Sequence, residues 1–188
     1  EAISRHSLFS AMDFMTERPL VFLYNAFLIF TTTLIVYLFR RRVFWRTILF
    51  IFWMGLGIIN GILLSTRVTP FTGPDLHLIT DAFEIADRYL SPFFFVVILF
   101  VLAILGLIWL FIKGPKYQGK MSYKWNVPLI LAGVLAFAGT TKLALDKRVL
   151  SNYFGNIAFA YEDYGYPYCL ATTVFNTGIG MPRGYNEK

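Results

Sequence analysis

Arg67, Thr69, Thr72 and Asp75 lie in the stretch STRVTPFTGPDLHLI at 65–79, wedged between two strongly apolar segments. An arginine guanidinium is a planar fork that matches phosphate oxygens two at a time, a geometry lysine lacks. Thr69 and Thr72 add hydroxyl donors, and Pro70 and Pro74 stiffen the backbone that carries them. At the mouth of a membrane span this set suits the phosphodiester headgroup of a lipid, with Asp75 as the fourth polar member. The same residues admit a plainer reading, in which Arg67 pairs with Asp75 and the loop only turns the chain. No catalytic constellation accompanies them. His6 and His77 lack metal-ligand spacing, and no Gly-rich loop precedes a Lys-Ser/Thr pair for phosphates. The acid pairs Asp81/Glu84 and Glu162/Asp163 are explained by solvated helix faces.

The elements that must position this loop follow from composition. The chain has 188 residues, 57% of them hydrophobic and 19% aromatic, with a mean hydropathy of +0.60. Only 15% are charged, against roughly 25% in ordinary globular proteins. A helix needs about 20 apolar residues to cross about 30 Å of hydrocarbon. Four stretches qualify: Leu20–Phe39, Thr47–Leu64, Phe93–Ile112 and Val127–Leu145. They do not alternate apolar with polar residues as barrel strands do. The expected fold is therefore an all-α membrane bundle over residues 1–149, with no internal repeat. Residues 7–18 and 75–90 mix apolar and charged positions at helical spacing and are expected as amphipathic helices on the outer surface. The tyrosine- and phenylalanine-rich segment 150–188 is expected as a juxtamembrane linker along that surface. GLGIING at 55–61 superficially resembles a dinucleotide fingerprint, but it follows no strand and lies in hydrocarbon. Close helix packing is the expected use of Gly57 and Gly61. Asn60, inside the second span, needs a hydrogen-bond partner, expected on a neighbouring helix, while Asn25 and the run Thr31–Thr33 in the first span are expected to be structural.

The net charge of +6 is distributed unevenly. Arg40, Arg41, Arg42 and Arg46 separate the first two spans, and Lys113, Lys116, Lys120 and Lys124 separate the last two. All eleven acidic residues lie elsewhere. By the positive-inside rule the loops at 40–46 and 113–126 are cytoplasmic, and the 65–92 loop and C-terminal tail extracellular. Clusters that abut spans serve topology rather than nucleic acid. An outward N-terminus ahead of a span also calls for an earlier segment to carry it across, so a further helix is expected before Glu1. Cys169 is the sole cysteine and can form no intrachain disulfide.

FLYN at 22–25, RRRVF at 40–44, GLGIINGILLSTRVTPFTGPDL at 55–76 and PKYQGK at 115–120 together resemble the membrane portion of lipoteichoic acid synthase-like proteins. The tail YEDYGYPYCLATTVFNTGIGMPRGYNE at 161–187 resembles the linker that follows it, and the likeness runs end to end in the same order. The resemblance implies five membrane helices, the first of them before Glu1. It also implies an extracellular catalytic domain of the alkaline phosphatase/sulfatase type after Lys188. Such enzymes belong to Gram-positive cell-wall synthesis. They take glycerol phosphate from phosphatidylglycerol onto a threonine, then pass it to a polyglycerolphosphate chain on a glycolipid anchor. That covalent route divides one difficult displacement into two. They use manganese, a hard ion suited to oxygen ligands. The nucleophile and metal ligands would lie in that further domain, so no catalytic or metal-binding residue is expected in this chain. Alone it is expected to be inactive.

Overall fold

In the computed structural model of the chain, the described residues are 1–2, 5–77, 90–117 and 122–175, with only the backbone described for His77 and 90–101. Every regular element among them is helical. In chain order these are α1 Leu8–Glu17, α2 Pro19–Thr33, α3 Arg42–Thr66, α4 Gly73–His77, α5 Leu90–Lys113, α6 Tyr123–Asp146, α7 Ile157–Tyr164 and α8 Tyr166–Phe175. A 3₁₀ turn, Leu34–Leu38, continues α2.

Local chemistry sets several of the boundaries. Ser7 caps α1 by accepting the Ser10 amide, and Pro19 sits in the first turn of α2, where a missing amide leaves no bond unmade. The hydroxyls of Thr31, Thr32 and Thr33 bond back to the carbonyls of Phe27, Ile29 and Phe30. Such back-bonding competes with the regular ladder, and it is here that α2 tightens into the 3₁₀ turn.

Among the described residues, three segments are long and apolar enough to cross a membrane: Pro19–Leu38, Arg42–Thr66 and Tyr123–Asp146. At 1.5 Å per residue, α3 alone measures roughly 37 Å. α5 has 24 residues and ends in the apolar run Leu102–Lys113. α3, α5 and α6 extend past both ends of the stretches expected from hydropathy; α3 begins five residues early and takes Arg42 and Arg46 into its first turns. Backbone hydrogen bonding does not stop where the apolar side chains do, so the helical ladder continues through the charged flanks.

Among the long helices, α5 packs on α3, α3 on α2 and α2 on α6. Trp53 Nε1 donates to Thr32 Oγ1 at 3.0 Å between α3 and α2. The Tyr24 and Thr141 hydroxyls bond at 2.8 Å between α2 and α6. At Gly133 an added Cβ would run into the Leu34 side chain, so α6 lies close on the 3₁₀ turn there. A Cβ added at Gly57 would meet nothing within 4 Å, and its face lines a groove between α2 and α3. Elsewhere the long helices turn large apolar side chains outward, including Leu23, Phe50, Trp109 and Leu135. None of the residues of α6 is buried. A surface so apolar is at home in hydrocarbon rather than water.

One end of the bundle carries a cap made of α1, α4, α7, α8 and the 67–72 loop. Two buried clusters fill it. One joins Leu56 and Phe71 to Ala160, Tyr161, Tyr166, Cys169 and Leu170. The other joins Phe14, Val21, Tyr24 and Leu28 to Leu150 and Tyr168. The segment expected as a surface linker is thus, over 157–175, a folded helix pair of the cap, with Tyr161, Tyr166 and Tyr168 buried in its two clusters while Tyr153, Phe159 and Phe175 stay exposed. Of the helix expected at 75–90, only α4 and Leu90 are among the described residues; the rest, with Asp81 and Glu84, lies outside them.

At the opposite end the two basic loops meet. The Tyr117 amide donates to the Arg40 carbonyl at 2.9 Å. The Arg42 guanidinium lies 3.8 Å above the Tyr117 ring, and that of Arg41 lies 4.2 Å above Phe111. Aromatic faces hold these cations in place of carboxylates.

Candidate functional site

The 67–77 loop leaves α3 at Thr66 and immediately folds around Arg67. That side chain turns inward. Its Nη1 and Nη2 donate to the two oxygens of Asp75 at 2.9 and 2.7 Å, a bidentate pair. Nη2 also donates to the Pro70 carbonyl at 3.0 Å and Nε to the Thr69 carbonyl at 2.9 Å. Asp75 Oδ2 further accepts the Thr72 amide at 2.7 Å and the Thr72 hydroxyl at 2.8 Å. Thr72 precedes α4 and Asp75 is its third residue, so the carboxylate closes half of a capping box on the helix it begins.

Electrostatics follow from this geometry. Burial pushes the Asp75 carboxyl up, but the bonds from Arg67 and Thr72 outweigh it and leave it below the usual carboxylate range. The same pairing, chiefly its hydrogen bonds, raises Arg67. A carboxylate offers about four lone-pair sites and a guanidinium five N–H groups. Asp75 accepts four bonds and Arg67 donates four, so the pair is nearly saturated from within. Thr69 is exposed, and one Nη1 hydrogen of Arg67 makes no bond within the motif.

Beneath the loop, Pro70 is fully buried and Phe71 is 5% exposed. The Phe71 amide donates to Asn60 Oδ1 at 2.7 Å, which fixes the orientation of the Asn60 amide. Asn60 is wholly buried in α3, so this bond ties the loop to the span directly below it. Asn25 does the corresponding work from α2. Its Oδ1 accepts the Tyr168 amide at 2.9 Å, and its Nδ2 donates to the Tyr164 carbonyl at 2.7 Å and the Val21 carbonyl at 2.9 Å. The groups it holds flank Gly165, whose φ of +78° breaks the chain between α7 and α8. A side chain is disfavoured at that φ.

Loop and tail then meet directly. The Gly73 amide donates to Thr173 Oγ1 at 3.0 Å, and a Cβ on Gly73 would strike the backbone of Thr173 and Val174. At the rim, Arg5 bonds Glu1 at 3.0 Å and the Glu162 carbonyl at 3.0 Å, and its guanidinium lies 4.2 Å above Phe14. Glu1 in turn accepts the Tyr166 amide at 2.9 Å. Cys169 is buried at 2% exposure with its thiol bonded to the Ala160 carbonyl, and burial pushes that thiol well above its ordinary range.

The four sequence-selected residues therefore come together, with Arg67, Thr72 and Asp75 bonded to one another and Thr69 contributing its carbonyl. Asn25, Asn60, Gly73 and Thr173 were not among them. An asparagine inside an apolar span signals a need for partners, but the sequence points to a neighbouring helix rather than the cap. Among the described residues no group of three or more His, Cys, Asp or Glu side chains could hold a metal ion.

No known protein family, curated protein or solved structure matches the chain.

Proposed function

We propose that this chain is the membrane domain of a phosphoglycerol transferase of the lipoteichoic acid synthase type. It sits in the cell membrane as a multi-pass protein, with α5 as a fourth span beside the three already described and the cap outside. The basic ends at 40–46 and 113–126 face the cytoplasm. The cap anchors an extracellular catalytic domain at the membrane surface, where phosphatidylglycerol and a glycolipid-anchored acceptor meet. Manganese and the nucleophilic threonine belong to that domain, and α1 is a surface helix beside it.

One observation carries most weight. The two stretches with the most specific resemblance, RVTPFTGPDL and YGYPYC with its continuation, are the ones that dock on each other through Gly73 and Thr173, 100 positions apart. Each is also pinned by a buried asparagine of a different span. A tail held so tightly to the bundle suits a chain that must set the height and direction of whatever follows it. Contact of the two basic loops at the opposite end supports a common cytoplasmic side for them.

A second reading draws on Arg67. With its fork committed to Asp75, the loop serves as a brace, and the domain is a passive anchor that orients the enzyme without touching the lipid headgroup. In the first reading, the remaining Nη1 hydrogen of Arg67 and the Thr69 hydroxyl meet that headgroup, with Thr72 and Asp75 holding them.

The test uses the native polypeptide from its source cells. Its intact mass and terminal peptides are measured, and transfer of labelled glycerol phosphate from phosphatidylglycerol is assayed in vesicles. A catalytic domain continuing beyond Lys188, with manganese-dependent transfer, is the expected result. A native product ending at Lys188 without transfer would remove the enzyme reading. Thr69→Val then separates the two versions: slower transfer with intact folding favours headgroup contact, and unchanged transfer favours the passive anchor.

A further inference from the structure

Between α2 and α6, at the cap end of the bundle, lies a groove of about 430 Å³, a volume typical of small-molecule sites. Leu20, Leu23 and Phe27 form one wall, and Thr140, Leu143 and Ala144 the other. Tyr24 also lines the groove, with its hydroxyl bonded to that of Thr141 at 2.8 Å and its ring against Phe137 at 5.4 Å between centroids. The polar atoms at that depth are thus paired with each other. Thr140 likewise bonds back to the Ala136 carbonyl. What the groove presents sideways, toward the bilayer, is hydrocarbon.

Its mouth is different. Lys147 lines it and is exposed, beyond the last turn of α6. Lys142 and Arg148 stand on the same helix end, against the single acid Asp146. From Leu20 to Phe27 and from Lys147 to Thr140 the groove runs seven residues along each helix, roughly 10 Å. That is most of the roughly 15 Å hydrocarbon depth of one leaflet. A cation at headgroup level above an apolar slot of this depth matches an amphiphile with an anionic head and an alkyl tail.

We propose that this groove holds one acyl chain of an anionic phospholipid from the cap-side leaflet, with Lys147 meeting its phosphate. The site depends only on the helices lying in a bilayer, and it stands apart from the Arg67 loop and from any transferase activity. In hydrocarbon an unfilled slot loses dispersion contacts along its whole lining, so a chain seated there gains contacts that a flat helix face does not offer. Selectivity comes from the mouth, since the slot itself does not distinguish one phospholipid class from another.

The 188-residue chain is placed in nanodiscs containing phosphatidylglycerol or phosphatidylcholine with a photoactivatable diazirine in one acyl chain, and adducts are mapped by peptide mass spectrometry. Adducts concentrated on Leu23, Phe27, Thr140 and Leu143, above those on the outward Leu102 and Leu105 of α5, are expected. Ala144→Phe, which fills the slot, should remove that excess. Lys147→Gln, an exposed change that leaves folding intact, should reduce the preference for phosphatidylglycerol roughly fivefold, and Arg46→Gln at the other end should not. Adducts spread evenly over all lipid-facing helices would overturn the proposal. So would equal labelling by the two lipids, or a disulfide between copies of Leu23→Cys showing that a second copy covers the groove.

Discussion

The side-chain oxygen of Asn25 accepts the backbone amide of Tyr168 at 2.9 Å, across 143 positions of chain. Through the same amide group Asn25 also holds the Tyr164 carbonyl. A single buried side chain thus fixes both sides of the α7–α8 turn to the first span. Asn25→Leu keeps the volume and leaves those backbone groups unpaired. It is expected to destabilise the cap by about 2–4 kcal/mol, read by denaturant or thermal unfolding in detergent. Amide exchange should accelerate in α8 before it does in α3. Unchanged exchange in α8 would show that Asn25 is not its anchor.

The bidentate pair of Arg67 and Asp75 predicts a pH dependence confined to acid. The folded Asp75 carboxyl lies below its ordinary value, so the fold favours its ionised form. Its contribution is complete above the unfolded pKa of about 3.9 and is lost as pH falls through the lower folded value. Carboxyl carbon NMR of Asp75 should therefore titrate below that reference. A midpoint at or above it would contradict the pairing. Arg67→Lys, which keeps the charge but loses the fork, should move the midpoint upward.

Gly73→Ala places a methyl group against the backbone of Thr173, where no flexible side chain can yield. Overpacking of this kind costs about 1–3 kcal/mol. Protease cleavage between α8 and the rest of the cap should become faster in this variant. Equal cleavage rates would mean that the loop and tail do not dock through this contact.

Cys169 is expected to resist a water-soluble maleimide at neutral pH. Burial is the main cause of its raised thiol pKa, and Glu1 and Asp163 add to it against Arg5. Thiolate is the reactive form, so labelling should follow unfolding of the cap rather than precede it. Rapid labelling of the folded protein would place the thiol in solvent.

The sequence by itself determined the helical membrane class, because stretches of about twenty apolar residues are a chemical fact that no tertiary context changes. It also determined where Pro19 starts a helix and how the threonine run bonds to its own backbone, since both depend on local geometry. Its selection of Arg67, Thr72 and Asp75 as one unit was likewise local, within a single loop. Only the tertiary structure decided how near the Asp75 oxygens come to the Arg67 fork, 2.9 and 2.7 Å from Nη1 and Nη2, because that distance depends on how the loop folds and not on residue type. Likewise, Asn60 announced a need for a partner, but hydrophobic patterning carries no information about which distant amide will meet it or that Asn25 will hold the tail. The role of 150–175 depended on long-range burial too. The aromatic residues suited to a headgroup surface also form a packed helix pair once Gly165 turns the chain and Gly73 lets it come close.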